Sequence, residues 1–140
     1  MALGLEVSEQ ELKALLEVGF LYRERGEAAE AREVFEGVLA LRPDLAVAKV
    51  GLANALQLLG DDEAAERLLR EAAAAQPDNA FVAQQLGELL HTVGKREEAA
   101  EWLRKAIELD AAGPYGQAAK AVLDLLEADV AYTYRAPEAG

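Results

Sequence analysis

The chain has 140 residues, and 26 acidic against 14 basic side chains leave it a formal charge of -12. That field repels a phosphate backbone and an anionic lipid surface, so neither nucleic acid nor membrane is expected as a partner. With no cysteine present, a disulfide framework and thiol chemistry are excluded.

One domain of this length can bury a substantial core, and the surplus charge keeps a helix-rich chain in solution. The apolar runs are too short to span a bilayer. The opening MALGLEVSEQELK lacks a basic stretch followed by an apolar one, so no secretory signal is read there and the cytoplasm is the expected location.

Residues 1–8 read as an N-terminal extension in which Leu3, Leu5 and Val7 alternate at period two. Ser8 with Glu11 three residues on is a capping-box signal, opening a helix over roughly residues 9–24. Its antiparallel partner is predicted over roughly residues 28–41. Asp44 and Asp78, each following a proline, are expected to cap helices over roughly residues 45–59 and 79–93. The partners of these two are predicted over roughly residues 62–75 and 96–109. Gly26, Gly60 and Gly94 close the first helix of each pair, where a left-handed backbone favours glycine. After DAAGPY a last helix is predicted over about residues 115–130, and residues 131–140 are left as a tail.

The three glycines stand 34 residues apart, and a pattern recurs around each. Leu15, Val18, Gly19, Tyr22, Gly26, Ala31, Phe35, Val38 and Pro43 form the first copy. Lys49, Leu52, Ala53, Leu56, Gly60, Ala65, Leu69, Ala72 and Pro77 form the second. Ala83, Leu86, Gly87, Leu90, Gly94, Ala99, Leu103 and Ala106 form the third, after which Pro114 arrives late. Gly19 and Gly87 fall in mid-helix, where glycine costs about 1 kcal/mol relative to alanine. The pattern accounts for that cost if a neighbouring helix passes too close for a side chain, with Ala53 in the same role and Ala31, Ala65 and Ala99 as the small partners. This pattern resembles the tetratricopeptide repeat. The resemblance implies an all-α right-handed solenoid of about seven antiparallel helices, with repeats at about residues 12–45, 46–79 and 80–113 and a capping helix.

The linker DAAGPY carries one extra residue. A register shifted by that residue puts Ala118, Ala121, Val122 and Leu125 in the core and leaves Gln117, Lys120, Asp124 and Glu127 as a polar stripe. One wet face suits a helix that ends a solenoid. Beyond it Val130, Tyr132 and Tyr134 alternate, and an extended chain would present all three to one side, packed on an apolar surface. Pro137 and the small residues after it suggest a frayed end.

No catalytic constellation is legible, and the chain is read as a non-enzyme without cofactor or metal. His91 is the one histidine and Ser8 the one serine, two repeats apart, so a nucleophile–base pair has nothing to build on. Glu88 and His91 make one Glu-x-x-His at helical spacing, half of what a di-iron bundle uses, and the second copy is missing. The carboxylates of Glu97, Glu98 and Glu101 read as a solvated face.

In tetratricopeptide proteins the first helices of successive pairs line a concave groove, and the resemblance implies a partner-binding surface by register. It comprises Lys13, Leu16, Phe20, Arg23 and Glu24; then Val47, Val50, Asn54, Gln57 and Leu58; then Phe81, Gln84, Glu88, His91 and Thr92; and Ala119, Leu123 and Leu126 from the last helix. The family's carboxylate clamp for acidic chaperone tails would place cations at Leu16, Phe20, Gly51, Phe81 and Gln85, where none stands. The apolar centre of the groove suits an amphipathic or extended apolar segment of another protein. Within the family, LLEVGFLYRERGEAAEAREVFEGVLALRPDLAVAKVGLANALQLLG resembles the small acidic chaperones of type III secretion. A consensus-like or engineered module and a piece of a larger scaffold fit the same pattern, though a capping helix speaks for an array that ends here. The expected function is an adaptor or chaperone. The alternative is a homo-oligomer whose groove takes a terminus of its own or of a neighbouring chain, since bare apolar patches are seldom left on soluble monomers.

Overall fold

A computed structural model describes residues 6–135, with the side chains of residues 6–129. All regular structure among the described residues is helical: α1 (Glu9–Glu24), α2 (Ala28–Leu41), α3 (Ala46–Leu58), α4 (Asp62–Ala75), α5 (Ala80–Thr92), α6 (Arg96–Leu109) and α7 (Pro114–Arg135). No helix among them is long and apolar enough to cross a membrane. The chain divides into two compact units, Met1–Ala72 and Ala73–Gly140, with the division inside α4.

Local chemistry sets the helix ends. Ser8 Oγ accepts from the Glu11 backbone N–H at 3.1 Å, and the Ser8 hydroxyl donates to Glu11 Oε1 at 3.0 Å. Gly26, Gly60 and Gly94 adopt φ of 75°, 88° and 88°, the left-handed values predicted for the turn of each pair. Neither Asp44 nor Asp78 is the cap residue expected from the sequence. The residue before α3 is Leu45, which makes no capping bond, while Asp44 faces Arg42 at 3.9 Å. The cap of α5 is Asn79, whose Oδ1 accepts from the Val82 N–H at 3.1 Å. In both cases the helix starts one residue later than expected, so the aspartate is out of reach of the free N–H groups. Asp61 caps α4 in the same manner, through the Ala64 N–H at 3.1 Å.

In the first unit α2 packs against both α1 and α3, and α1 also touches α3. Phe35, fully buried on α2, is the centre of this packing. A Cβ on Gly19 of α1 would lie 2.7 Å from its ring, and a Cβ on Gly51 of α3 would lie 2.6 Å from Cδ1 and closer still to Cε1 and Cζ. Two helices therefore approach one phenylalanine from opposite partners, and each does so through a glycine. Leu12, Ala31, Val38, Ala48 and Ala55 complete the cluster, and Val7 packs against its edge.

In the second unit α5, α6 and α7 contact one another pairwise. A Cβ on Gly87 would lie 2.8 Å from the Leu103 side chain and 3.1 Å from its backbone nitrogen. Ala53, Ala31, Ala65 and Ala99 are all fully buried.

The phase of α7 differs from expectation. Ala119, Leu123 and Leu126 are buried, Ala121 is exposed, and Leu125 is 65% exposed. Val122 packs at the edge of the core, and Gln117, Lys120, Asp124 and Glu127 are exposed as predicted. Gly116 causes the difference. It is buried directly against the backbone of Asp110, where any side chain would overlap the carbonyl. The Asp110 carboxylate accepts from the Tyr115 and Gly116 N–H groups at 3.0 and 3.4 Å, capping the helix. With Gly116 fixed inward, residues three, seven and ten positions later follow it. The helix also runs through Arg135, so the backbone of residues 130–134 is helical rather than extended. The side chains of Val130, Tyr132 and Tyr134, and all of Leu3 and Leu5, lie outside the described residues.

Candidate functional site

Five of the expected groove residues belong to the core instead. Val50 is fully buried, and Gln84, Leu123 and Leu126 are 5%, 8% and 6% exposed, with Ala119 also buried. For α7 the reason is the phase set by Gly116. For Val50 and Gln84 it is position in the array. They occupy the register of Leu16, which is half-buried on the opening helix, but α3 and α5 are followed and preceded by further helices.

In the first unit the remaining residues form one connected surface on α1 and α3. Leu16 and Phe20 are half-buried against the Phe35 cluster, and Phe20 meets the Phe35 ring edge-on with centroids 4.9 Å apart. The Arg23 guanidinium lies 4.9 Å from the Phe20 ring centroid, and its Nη1 donates to Asn54 Oδ1 at 2.7 Å. Stacking and the hydrogen bond together hold the guanidinium in one place. Arg23, Asn54, Gln57 and Leu58 line a hollow of about 480 Å3. A second, of about 410 Å3, is lined by Lys13, Leu16, Glu17, Phe20, Leu21 and Glu24. Val47 is half-buried on the same helix as Asn54.

In the second unit Phe81 stacks at a tilt on Tyr115, with centroids 5.0 Å apart. Tyr115 lay outside the expected site, and its place beside the proline that opens the last helix was the signal available. Glu88 and His91 are half-buried on α5, one turn apart, and Thr92 Oγ1 donates to the Glu88 carbonyl at 3.0 Å. Burial pushes the Glu88 carboxyl above its ordinary value. His91 Nδ1 is buried without a hydrogen-bond partner among the described residues. No group of three or more His, Cys, Asp or Glu among the described residues is placed to hold a metal ion.

Models of the tetratricopeptide repeat match residues 22–84 and 82–112, which together run from the end of α1 through α6. The chain belongs to the tetratricopeptide-repeat family. Tetratricopeptide repeat protein 7A of Homo sapiens is 31% identical over 96 residues, which are 69% of this chain and 11% of that protein. The chain thus spans about a tenth of the length of that relative. Among solved structures, PcrH from Pseudomonas aeruginosa matches with a TM-score of 0.75 at 24% identity, over 91% of this chain and 99% of that one. The type III secretion translocator chaperone SycD of Yersinia enterocolitica matches with a TM-score of 0.73 at 22% identity, over 89% of this chain and 88% of that one. The likeness to both is one of fold, the all-α tetratricopeptide solenoid. PcrH has also been solved with the chaperone binding region of PopB, and SycD with a peptide of the translocator YopD.

Proposed function

We propose that this tetratricopeptide protein is a non-enzymatic adaptor or chaperone-like module that holds an apolar or amphipathic segment of a partner protein against the first helices of its repeats. The observation that carries this reading is the α1–α3 surface of the first unit. Leu16 and Phe20 offer apolar area beside two hollows, and Arg23, Asn54 and Gln57 offer polar groups at their rim. Arg23 is already oriented by Asn54 and Phe20, so engaging a ligand costs it little side-chain entropy. A partner's apolar side chains would dry Leu16 and Phe20 while its main chain or polar face meets Arg23 and Gln57. In the second unit Phe81, Glu88 and His91 present the same mixture. That PcrH and SycD share the fold and hold segments of PopB and YopD adds support by analogy.

An acidic tail ending in a free carboxylate is a poorer fit. Leu16, Phe20, Phe81 and Gln85 carry no positive charge, and Phe35 leaves no room for a side chain at Gly51. Selection from a phage-displayed library of short random peptides tests the reading. Selected peptides should be rich in apolar residues, and Arg23→Ala and Phe20→Ser should each weaken them with helicity retained. Selection of acidic C-terminal sequences, or binding indifferent to both variants, would overturn it.

A further inference from the structure

Four apolar residues on one side of α1 are exposed, and Tyr22, half-buried against the Phe35 cluster, continues them. Ala14, Leu15, Val18, Leu21 and Tyr22 are spaced by one, three, three and one, which places them on a single stripe. Leu15, Val18 and Leu21 are 38%, 42% and 53% exposed. Their counterparts two repeats later, Val82, Ala83, Leu86, Leu89 and Leu90 of α5, are each no more than 2% exposed. On α3 the counterparts Ala48 and Ala55 are fully buried and Leu56 is 9% exposed, while Lys49 and Leu52 are half-buried. The register that α5 packs away completely is therefore largely open on α1, whereas a helix that ends a solenoid in water has a polar outer face.

The pattern along the stripe indicates what fits it. Glu11 is exposed one turn before Leu15, and Arg25 is exposed just after Tyr22. Glu11 and Arg25 stand seven residues to either side of Val18. Turned end for end about Val18, a second α1 brings Val18 onto Val18, Leu15 onto Leu21, small Ala14 onto large Tyr22, and Glu11 onto Arg25. The stripe is thus complementary to itself in size and in charge, as a two-fold interface requires. Arg25 also reaches Glu27 of its own chain at 3.5 Å, but that pair is exposed and easily exchanged.

We propose that α1 docks antiparallel on α1 of a second copy of this chain, about a two-fold axis at Val18, forming a homodimer. This surface adjoins the α1–α3 face assigned above to a partner segment and shares Leu21 with it, while Leu15 and Val18 line neither hollow, so variants at those two positions let either reading fail alone. A single helix pair buries less than a standard interface, so the dimer is weak and reversible. At physiological ionic strength a screening length of about 8 Å mutes repulsion between two chains of like charge while leaving close pairs in contact.

Sedimentation equilibrium on the full chain, from about 1 μM to about 1 mM at that ionic strength, tests it. The expected result is a monomer–dimer equilibrium. Val18→Asp brings two carboxylates together at the axis and should weaken association at least about tenfold; Leu15→Lys should also weaken it, and circular dichroism should confirm unchanged helicity in both. Glu11→Arg and Arg25→Glu should each weaken the dimer, and the double variant should recover it. Because the double variant also lacks the Glu11 contact with Ser8, recovery reports on the pairing alone. A chain that stays monomeric throughout overturns the proposal and leaves the stripe to a preceding segment of a longer chain. A dimer indifferent to Val18→Asp, or a double variant that fails to recover, overturns it equally.

Discussion

Gly51→Ala should destabilise the protein even though alanine is the better helix former. Two effects oppose each other. In mid-helix, alanine gains about 1 kcal/mol over glycine from backbone entropy. Against this, the new methyl would sit 2.6 Å from Phe35 Cδ1 and nearer to two further ring carbons. The ring has little room to retreat, because it is fully buried and its far end already lies where a Cβ on Gly19 would be 2.7 Å away. Overpacking of this kind costs about 1–3 kcal/mol, and here the overlap involves three atoms of a rigid ring, so the upper part of that range applies. The net expectation is a loss of about 1–2 kcal/mol, or roughly 3–8 °C in melting temperature for a chain of this size. Gly37→Ala is the control. Gly37 lies in mid-α2, exposed, with nothing within 4 Å of its would-be Cβ, so alanine there should stabilise by about 0.5–1 kcal/mol. Urea denaturation of the two variants, followed by far-ultraviolet circular dichroism, gives the comparison. Adding Phe35→Leu to Gly51→Ala should recover part of the loss, a coupling of at least about 0.5 kcal/mol. If Gly51→Ala proves as stable as the parent, the close approach to Phe35 is not what holds glycine at that position.

In the second unit Gly87→Leu should cost several kcal/mol, because Leu103 meets the site with its side chain and its backbone, while Glu97→Gln on the exposed side of α6 should change stability by under about 0.5 kcal/mol; equal melting temperatures would refute the register. Glu88 gives a pH signature. Burial raises its folded pKa above the ordinary 4.5, so the folded chain holds that proton more tightly than the unfolded one, and stability falls as pH rises from the unfolded value through the folded value. Glu88→Gln should therefore raise the melting temperature relative to the parent at neutral pH and lose that advantage at pH values below 4.5; a difference independent of pH would rule this out. Asp110→Ala should cost about 0.5–2 kcal/mol by uncapping α7, measured by the same denaturation, and Asp44→Ala, which caps nothing, should cost less.

The helical pairs were legible because three independent signals coincided at each turn. Apolar spacing marked the faces, a glycine marked the left-handed stop, and the period of 34 tied one pair to the next. The boundaries that slipped did so where those signals were local and interchangeable. Asp78 and Asn79 are both good caps, and only the conformation of the turn decides which one reaches the free N–H groups. Exposure within the candidate site was harder to read than register. Leu16, Val50 and Gln84 share one repeat position, yet only Leu16 keeps part of its surface, since burial depends on how many helices surround each copy and the repeat pattern does not encode that. Nor does chemistry settle it, because Gln84 is buried and Leu125 is exposed.

The last helix departs from the register of the repeats before it. Counting on from the third repeat assigned its core to Ala118, Ala121, Val122 and Leu125, on the premise that the repeat register survives a one-residue insertion. A repeat register persists only while the same contacts enforce it, and in DAAGPYG those contacts are replaced. Asp110 holds the N–H groups of Tyr115 and Gly116, and Gly116 lies flat on the Asp110 backbone. The helix is therefore phased by its own first turn rather than by the array before it. A glycine two residues after a proline that opens a helix was visible in the sequence, and a helical glycine there has the same physical meaning as Gly19 and Gly87: a backbone approaches too closely for a side chain. At Gly116 that meaning puts Ala119, Leu123 and Leu126 on the inward face of the helix and takes them out of the candidate groove.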